Sequence, residues 1–339
     1  MIIVRAPLRV SFVGGGTDLP DFYKNNTGRV ISAAIDKYVY VTINRPPLVR
    51  NVSARYGITE QVNHPKELLN GRIREALIHQ DILSGIDVGT FSDVPVKTGL
   101  GSSSSFSVAL MKALLVFKGK NANRGEIAEL ASHLEINLLK EPIGKQDQYA
   151  SAFGGLNIFQ FNNDNTVDVT PVHLDFRKMS DLESHISVFF TGVTRLASSV
   201  LTEQKSNIVK KQDELKKMAE SVFEFREQLL KGNFKRLGEI LHDGWLTKKT
   251  LASNVSNPVI DELYSAGISA GAWGGKVLGA GGGGCLLFIA SPENKNNIRI
   301  KLQEVAVKNK LNDFTLIPIK FVQSGVEVLM NQDSNIRQS

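Results

Sequence analysis

Three glycine-rich stretches, spread from one end of the chain to the other, restrict its fold more than any other feature. They are Gly14-Gly15-Gly16 with Thr17 and Asp18, Gly99-Leu100-Gly101 with Ser102 to Ser105, and Gly279-Ala280 with Gly281 to Gly284. Glycine at this density marks backbone that takes positive φ or lies close to something else. The middle stretch follows a strand-like "FSDVPV". It opens a run in which Phe106, Ala109, Leu110, Ala113, Leu114 and Phe117 recur at helical spacing. A glycine-rich turn entering a helix aims unpartnered N–H groups along the positive end of the dipole, which suits a phosphate. Serines there serve as caps or as hydroxyl ligands. Capping needs one, and four in a row exceed that need.

Several phosphate loops are excluded by their own chemistry. A Walker A loop needs Gly-Lys followed by Ser or Thr, whereas the Gly-Lys pairs at 119, 144 and 275 are followed by Asn, Gln and Val. A literal G-x-G-x-x-G occurs at 279–284, but strand-like "CLLFIA" follows it, where a dinucleotide fold requires a helix. The protein-kinase signatures H-R-D and D-F-G are missing.

The rest of the sequence reads as α+β. "IIVRAPLRVSFV" and "VISAAIDKYVYVTINRP" look like strands, and "GGLNIFQFNNDNTVDVTPV" like two strands around a turn. Helices are expected at 125–140, at about 201–231 and near 293–309, with a strand-like ending in "FTLIPIKFVQSGVEVLM". A chain of 339 residues suggests two domains, and we expect 1–175 and 176–339. The net charge of +6 suits small anionic ligands; basic blocks with interleaved aromatics are missing, so nucleic acid is not the expected partner. No apolar run approaches a membrane span, and the N-terminus lacks a signal-peptide core, so a cytoplasmic location is expected. The single cysteine, Cys285, fits a reducing compartment, and the six widely spaced histidines form no zinc pattern.

"APLRVSFVGGGTDLP" at 6–20, "PVKTGLGSSSSFSVAL" at 95–110 and "GGKVLGAGGGGCLLF" at 274–288 resemble, in order and spacing, the three motifs of the galactokinase–homoserine kinase–mevalonate kinase–phosphomevalonate kinase (GHMP) superfamily. "GKQDQYASAFGGLN" and "TGVTRLASSVL" are most similar to its branch of sugar 1-kinases, which includes heptose 7-phosphate and fucose-type kinases. The resemblance implies a two-domain α+β fold with ATP and a sugar phosphate in the cleft between the domains. It implies ATP-dependent phosphorylation of the C1 hydroxyl of D-glycero-D-manno-heptose 7-phosphate, with Mg²⁺ as cofactor, and leaves room for a homodimer.

Residue by residue, the resemblance places Lys97, Gly99, Leu100, Gly101, Ser102, Ser103, Ser104 and Ser105 around the ATP phosphates. Ser103 and Glu135 match the family's metal-binding pair, although Glu135 taken alone reads as a helix-surface acid. Asp147 matches the aspartate that faces the acceptor hydroxyl, and Arg9 the arginine beside it; holding the cleft together is the other reading of Arg9. An ordinary aspartate, with a pKa near ~3.9, is a weak base for an alcohol. The anomeric hydroxyl is more acidic, and a loose transition state asks for little activation. Gly15, Gly16, Thr17, Asp18, Gly154 and Gly155 are expected against the sugar, with Arg195 on a distal phosphate. Lys145 is a weaker phosphate candidate, and "GAGGGG" is either an ATP contact or a turn required by packing. A fucose-type kinase and a non-catalytic sensor on the same fold remain as alternatives.

Overall fold

A computed structural model describes residues 1–332 except 47, 49, 195 and 196. The first sheet has eight strands: β1 (Ile2–Val13), β2 (Gly28–Asn44), β3 (Val52–Arg55), β4 (Thr59–Val62), β5 (Ile86–Ser92), β6 (Leu156–Phe161), β7 (Val167–Pro171) and β12 (Glu327–Asn331). Its path runs β12-β1-β2-β5-β3-β4, and β6 pairs with both β2 and β7. Every pairing is antiparallel except β3 with β5. The second sheet, β11-β8-β10-β9, is antiparallel and joins β8 (Ile186–Phe190), β9 (Ala272–Val277), β10 (Cys285–Ala290) and β11 (Thr315–Ile317). The domain division expected at 175 follows chain order, whereas β12 returns from the chain's end to pair with β1.

The helices are α1 (Pro20–Tyr23), α2 (Gly71–His79), α3 (Ser102–Phe117), α4 (Arg124–Ser132), α5 (Gln146–Phe153), α6 (Phe176–His185), α7 (Ala197–Asn207), α8 (Gln212–Lys231), α9 (Phe234–Lys249), α10 (Pro258–Ser269) and α11 (Lys295–Lys308). Two expected helices are interrupted. The segment at 125–140 passes from α4 into a π-helical turn, His133–Leu138, which is where Glu135 sits. Such turns re-aim side chains, often at functional sites. The long helix at 201–231 is broken by a tight turn, Ile208–Lys211, between α7 and α8.

β1 sets up the cleft through one irregularity. Ile2, Val4 and Ala6 are buried in the core around α3. Its pairing with β2 slips at Pro7/Leu8. Beyond the slip, Leu8, Val10 and Phe12 belong to a different core, shared with Phe225 of α8, Leu237 of α9 and Leu287 of β10. A change of register exchanges the two faces of a strand. The alternate residues Arg9 and Ser11 thereby come to bond Asp147 and Gln146 at the start of α5. The core that joins the two sheets and the polar groups between them come from the same few residues.

Candidate active site

A cleft of about 490 Å³ opens where the three glycine-rich stretches meet. It is bordered by Gly15, Gly16 and Asp18, by Lys97, Gly99, Gly101 and Ser102 to Ser104, and by Gly279 to Gly281 and Gly283. The middle stretch enters α3 as expected. Gly101, in left-handed conformation (φ 82°), precedes the helix, and no side chain caps it. The serines therefore do not act as caps, and the first-turn N–H groups are left for a ligand. Gly99 (φ 77°) lies against the third stretch: a Cβ built on it would come 2.5 Å from the Leu278 carbonyl oxygen.

Arg9 and Asp147 form the polar centre. Arg9 donates from Nε to Oδ1 of Asp147 at 2.8 Å and from Nη2 to Oδ2 at 2.6 Å. Its Nη1 donates to the Gly99 carbonyl at 2.5 Å. The arginine is 3% exposed and the aspartate 24%, so the carboxylate is the partner that meets solvent in the cleft. A bidentate guanidinium–carboxylate pair fixes both orientation and charge.

The turn after β1 presents Asp18, which is buried at the cleft's edge. Its Oδ1 accepts from the Gly16 N–H at 3.0 Å and from Nε2 of Gln146 at 3.3 Å, and its Oδ2 from the Gln146 N–H at 3.3 Å. Burial, and then the charge of Asp147, push its pKa above the usual carboxylate value. Thr17 turns inward instead. Its hydroxyl donates to the Gly14 and Arg29 carbonyls and accepts from the Arg29 N–H, which fixes the turn.

The other expected residues separate into cleft and support. Leu100 and Ser105 are buried outside the cleft lining; the Leu100 carbonyl accepts from the Arg9 N–H, and the Ser105 hydroxyl donates to the Pro7 carbonyl. Gly154 and Gly155 hold the returning C-terminal segment: Gly154 packs on Ser324 and Gly325, and the Gly155 N–H donates to the Val322 carbonyl. Lys145 pairs with Glu129 at 2.8 Å and faces a neighbouring cavity. Arg195 lies outside the described residues.

Glu135 is fully buried beneath the serine turn. Its carboxylate accepts from Ser104 and Ser107 hydroxyls, each at 2.9 Å, from Nε of Arg72 at 3.2 Å, and from Nε2 of Gln148. Four donors use the lone-pair sites of a carboxylate. As arranged, Glu135 offers nothing free to a cation, and Ser103, open to the cleft, does not contact it. Among the described residues, no three His, Cys, Asp or Glu side chains are grouped to hold a metal ion. The observed donor set therefore does not fit a resident metal.

Three cations of the site carry no recognisable sequence signal. Arg72, on α2, borders the cleft and links Glu135 to Glu141. Lys248, on α9, reaches the Gly279 carbonyl from within the wall. Lys276, on β9, donates to the Ser11 and Phe12 carbonyls at 3.1 and 2.7 Å, pinning the second sheet to β1. Burial, together with Lys248 and Arg9 nearby, holds its pKa well below that of ordinary lysine.

A helix N-terminus shaped for phosphate, facing an arginine-held aspartate and a polar glycine turn, defines a phosphotransferase cleft. Comparison with known proteins specifies it. The GHMP kinases N terminal domain matches residues 63–155 and the GHMP kinases C terminal domain residues 225–308, together just over half of the chain. The chain belongs to the GHMP kinase family, as an ATP-dependent sugar kinase.

The chain is 30% identical over 310 residues to a D-glycero-alpha-D-manno-heptose 7-phosphate kinase of Campylobacter jejuni, covering 88% of this chain and 91% of that one. It is 26% identical to the L-fucokinase/L-fucose-1-P guanylyltransferase of Bacteroides fragilis, over 90% of this chain and 37% of the relative. Among solved structures, a D-glycero-D-manno-heptose 1-phosphate kinase from Bacteroides thetaiotaomicron shares the fold at TM-score 0.80 and 24% identity, over 98% of this chain and all of that one. Lactococcus lactis galactokinase with galactose superposes at TM-score 0.77 and 18% identity, over 97% of this chain and 95% of that one. No helix among the described residues is long and apolar enough to cross a membrane.

Proposed function

We propose that this kinase transfers the γ-phosphoryl group of ATP to the C1 hydroxyl of D-glycero-D-manno-heptose 7-phosphate, giving the 1,7-bisphosphate for nucleotide-activated heptose and surface glycan synthesis. The observation that carries the chemistry is the Arg9–Asp147 pair, set between the sugar turn and the phosphate turn. The choice of sugar rests on the similarity to the heptose 7-phosphate kinase along nearly all of both chains.

In this reading the first-turn N–H groups of α3 and the Ser102 and Ser103 hydroxyls hold the triphosphate, while the Ser104 hydroxyl stays on Glu135. Magnesium would come bound to ATP as part of the nucleotide substrate and would offset its phosphate charge, and the Ser103 hydroxyl, open to the cleft, would be the side chain available to it. The sugar lies on Gly15, Gly16 and Asp18, with its C1 hydroxyl at Asp147. The bond from γ-phosphorus to the bridging oxygen breaks towards ADP as the C1 oxygen closes on phosphorus. The hydroxyl proton passes late to Asp147, whose position Arg9 holds. Arg195 is proposed for the distal phosphate.

The test is ATP consumption with Mg²⁺ against free and phosphorylated sugars, with Asp147→Asn as control. Turnover on the heptose 7-phosphate, lost in the variant, supports the reading. Turnover on fucose or other free sugars alone replaces it with the fucose-type reading, to which the L-fucokinase similarity points. Nucleotide binding without turnover on any sugar leaves a sensor.

A further inference from the structure

Lys248 lies one residue from the C-terminus of α9 and is 5% exposed, yet it borders the cleft. Among the described residues, its one hydrogen bond runs from Nζ to the Gly279 carbonyl, and no carboxylate stands within ion-pair distance. The charged groups that act on it are the cations Arg9 and Lys276, which repel it, and the carboxylates Asp18 and Asp147, which attract it from beyond ion-pair distance. A buried ammonium without a close counter-ion is costly unless something completes it.

Its position says what that would be. Gly279 packs on Gly99, and Arg9 bridges the Gly99 carbonyl to Asp147. Lys248 therefore stands where the phosphate turn meets the acceptor carboxylate, the point a transferring group must cross. An ammonium has three donors, and the Gly279 carbonyl takes one.

We propose that Lys248 is a further catalytic residue of this site, donating from Nζ to an equatorial oxygen of the phosphoryl group in transfer. The inference rests on the kinase reading above. ADP takes the electrons of the broken bond and Asp147 the hydroxyl proton, while Lys248 keeps its protons throughout. Its charge acts on the oxygens where negative charge is concentrated during transfer.

The test uses the full chain with Lys248→Met, which keeps length but not donors, and Lys248→Arg, which keeps a cation. In Lys248→Met, kcat falls on the order of 10²–10³-fold while the sugar KM stays within about twofold; Lys248→Arg recovers part of the loss. Calorimetry reads binding separately. The β,γ-imido analogue of ATP weakens about tenfold in Lys248→Met, and ADP binds as before. Burial and the neighbouring Arg9 lower the Lys248 pKa to about 8. Wild-type kcat/KM for ATP therefore falls as pH rises through about 8, a limb that Lys248→Arg lacks because guanidinium stays charged. Equal weakening of both nucleotides, or Lys248→Met with wild-type kcat, overturns the proposal and leaves Lys248 a support for Gly279. If the wild type phosphorylates none of the sugars, the substrate reading fails, while the difference between analogue and ADP still decides Lys248.

Discussion

The carboxylate of Asp147 is held at both oxygens by Arg9, and the same guanidinium reaches the Gly99 carbonyl of the phosphate turn. One arginine thus aligns the acceptor side of the cleft with the donor side. Without ligand, it also keeps two anionic or polar acceptors from facing each other unscreened.

This linkage separates two variants. Asp147→Asn keeps shape and removes the proton acceptor, so kcat falls on the order of 10²–10⁴-fold with little change in either KM. Arg9→Lys cannot form the fork and gives up one side of it. It is expected to lower kcat and also to raise the KM for ATP, because the Gly99 turn loses its tie. Steady-state kinetics with each substrate varied in turn read the difference. A raised ATP KM in Asp147→Asn, or an unchanged one in Arg9→Lys, contradicts this division of labour.

Asp18 gives a pH signature. Its folded-state pKa lies above the usual carboxylate value, chiefly from burial and then from Asp147. The folded protein therefore holds this proton to higher pH than the unfolded chain does. Asp18 contributes stability at low pH that is lost as pH rises through the raised pKa. The Tm of wild type relative to Asp18→Asn should decline across that interval, while the variant's sugar KM rises at neutral pH. Thermal unfolding of both proteins from pH 3 upward is the check (~3.9 being the unfolded reference); a difference that grows with pH would reverse the sign argued here.

Much of this site was legible because its residues are consecutive. Gly99 with Gly101 to Ser104, and Gly15 and Gly16 with Asp18, announce themselves as glycine with short polar groups, and they line the cleft. Thr17, Leu100 and Ser105 belong to the same stretches but turn inward, since alternate residues of a turn or first helical turn face opposite ways; a motif does not carry that direction. Lys248 and Arg72 were not legible. Each reads as an ordinary charge on an amphipathic helix, and only the packing of α9 on β9 and of α2 near the Glu135 turn brings them to the cleft. The slip at Pro7/Leu8 was hidden too, since the alternation of Ile2, Val4, Ala6, Leu8, Val10 and Phe12 runs through it without a break and both faces of β1 are buried beyond it.

Glu135 should matter for folding before it matters for any ligand. Glu135→Gln puts an amide N–H₂ among Ser104, Ser107, Arg72 and Gln148, all of which donate to the carboxylate. Leaving buried donors unpaired costs about 1–3 kcal/mol, so we expect a Tm lower by several degrees with or without Mg²⁺. A variant with wild-type Tm in the absence of Mg²⁺ would show that the carboxylate is free for a cation.

Gly279→Ala tests whether the third glycine stretch supports the phosphate turn. Gly279 has φ 70°, and a Cβ there would meet the Gly99 Cα at 2.8 Å and its carbonyl oxygen at 3.0 Å. Left-handed backbone alone costs alanine about 1–2 kcal/mol, and the contact is with backbone that cannot rotate away. Relief must come from moving Gly99 away from Gly279, which displaces the Arg9 contact and the entry to α3. The expected outcome is a lower Tm and ATP binding weaker by about tenfold, with sugar binding nearly unchanged. Calorimetric titration of nucleotide and sugar separately reads this. Equal losses for both ligands would mean that the stretch supports the whole cleft, and unchanged ATP affinity would mean that the two glycine turns are in contact but not coupled.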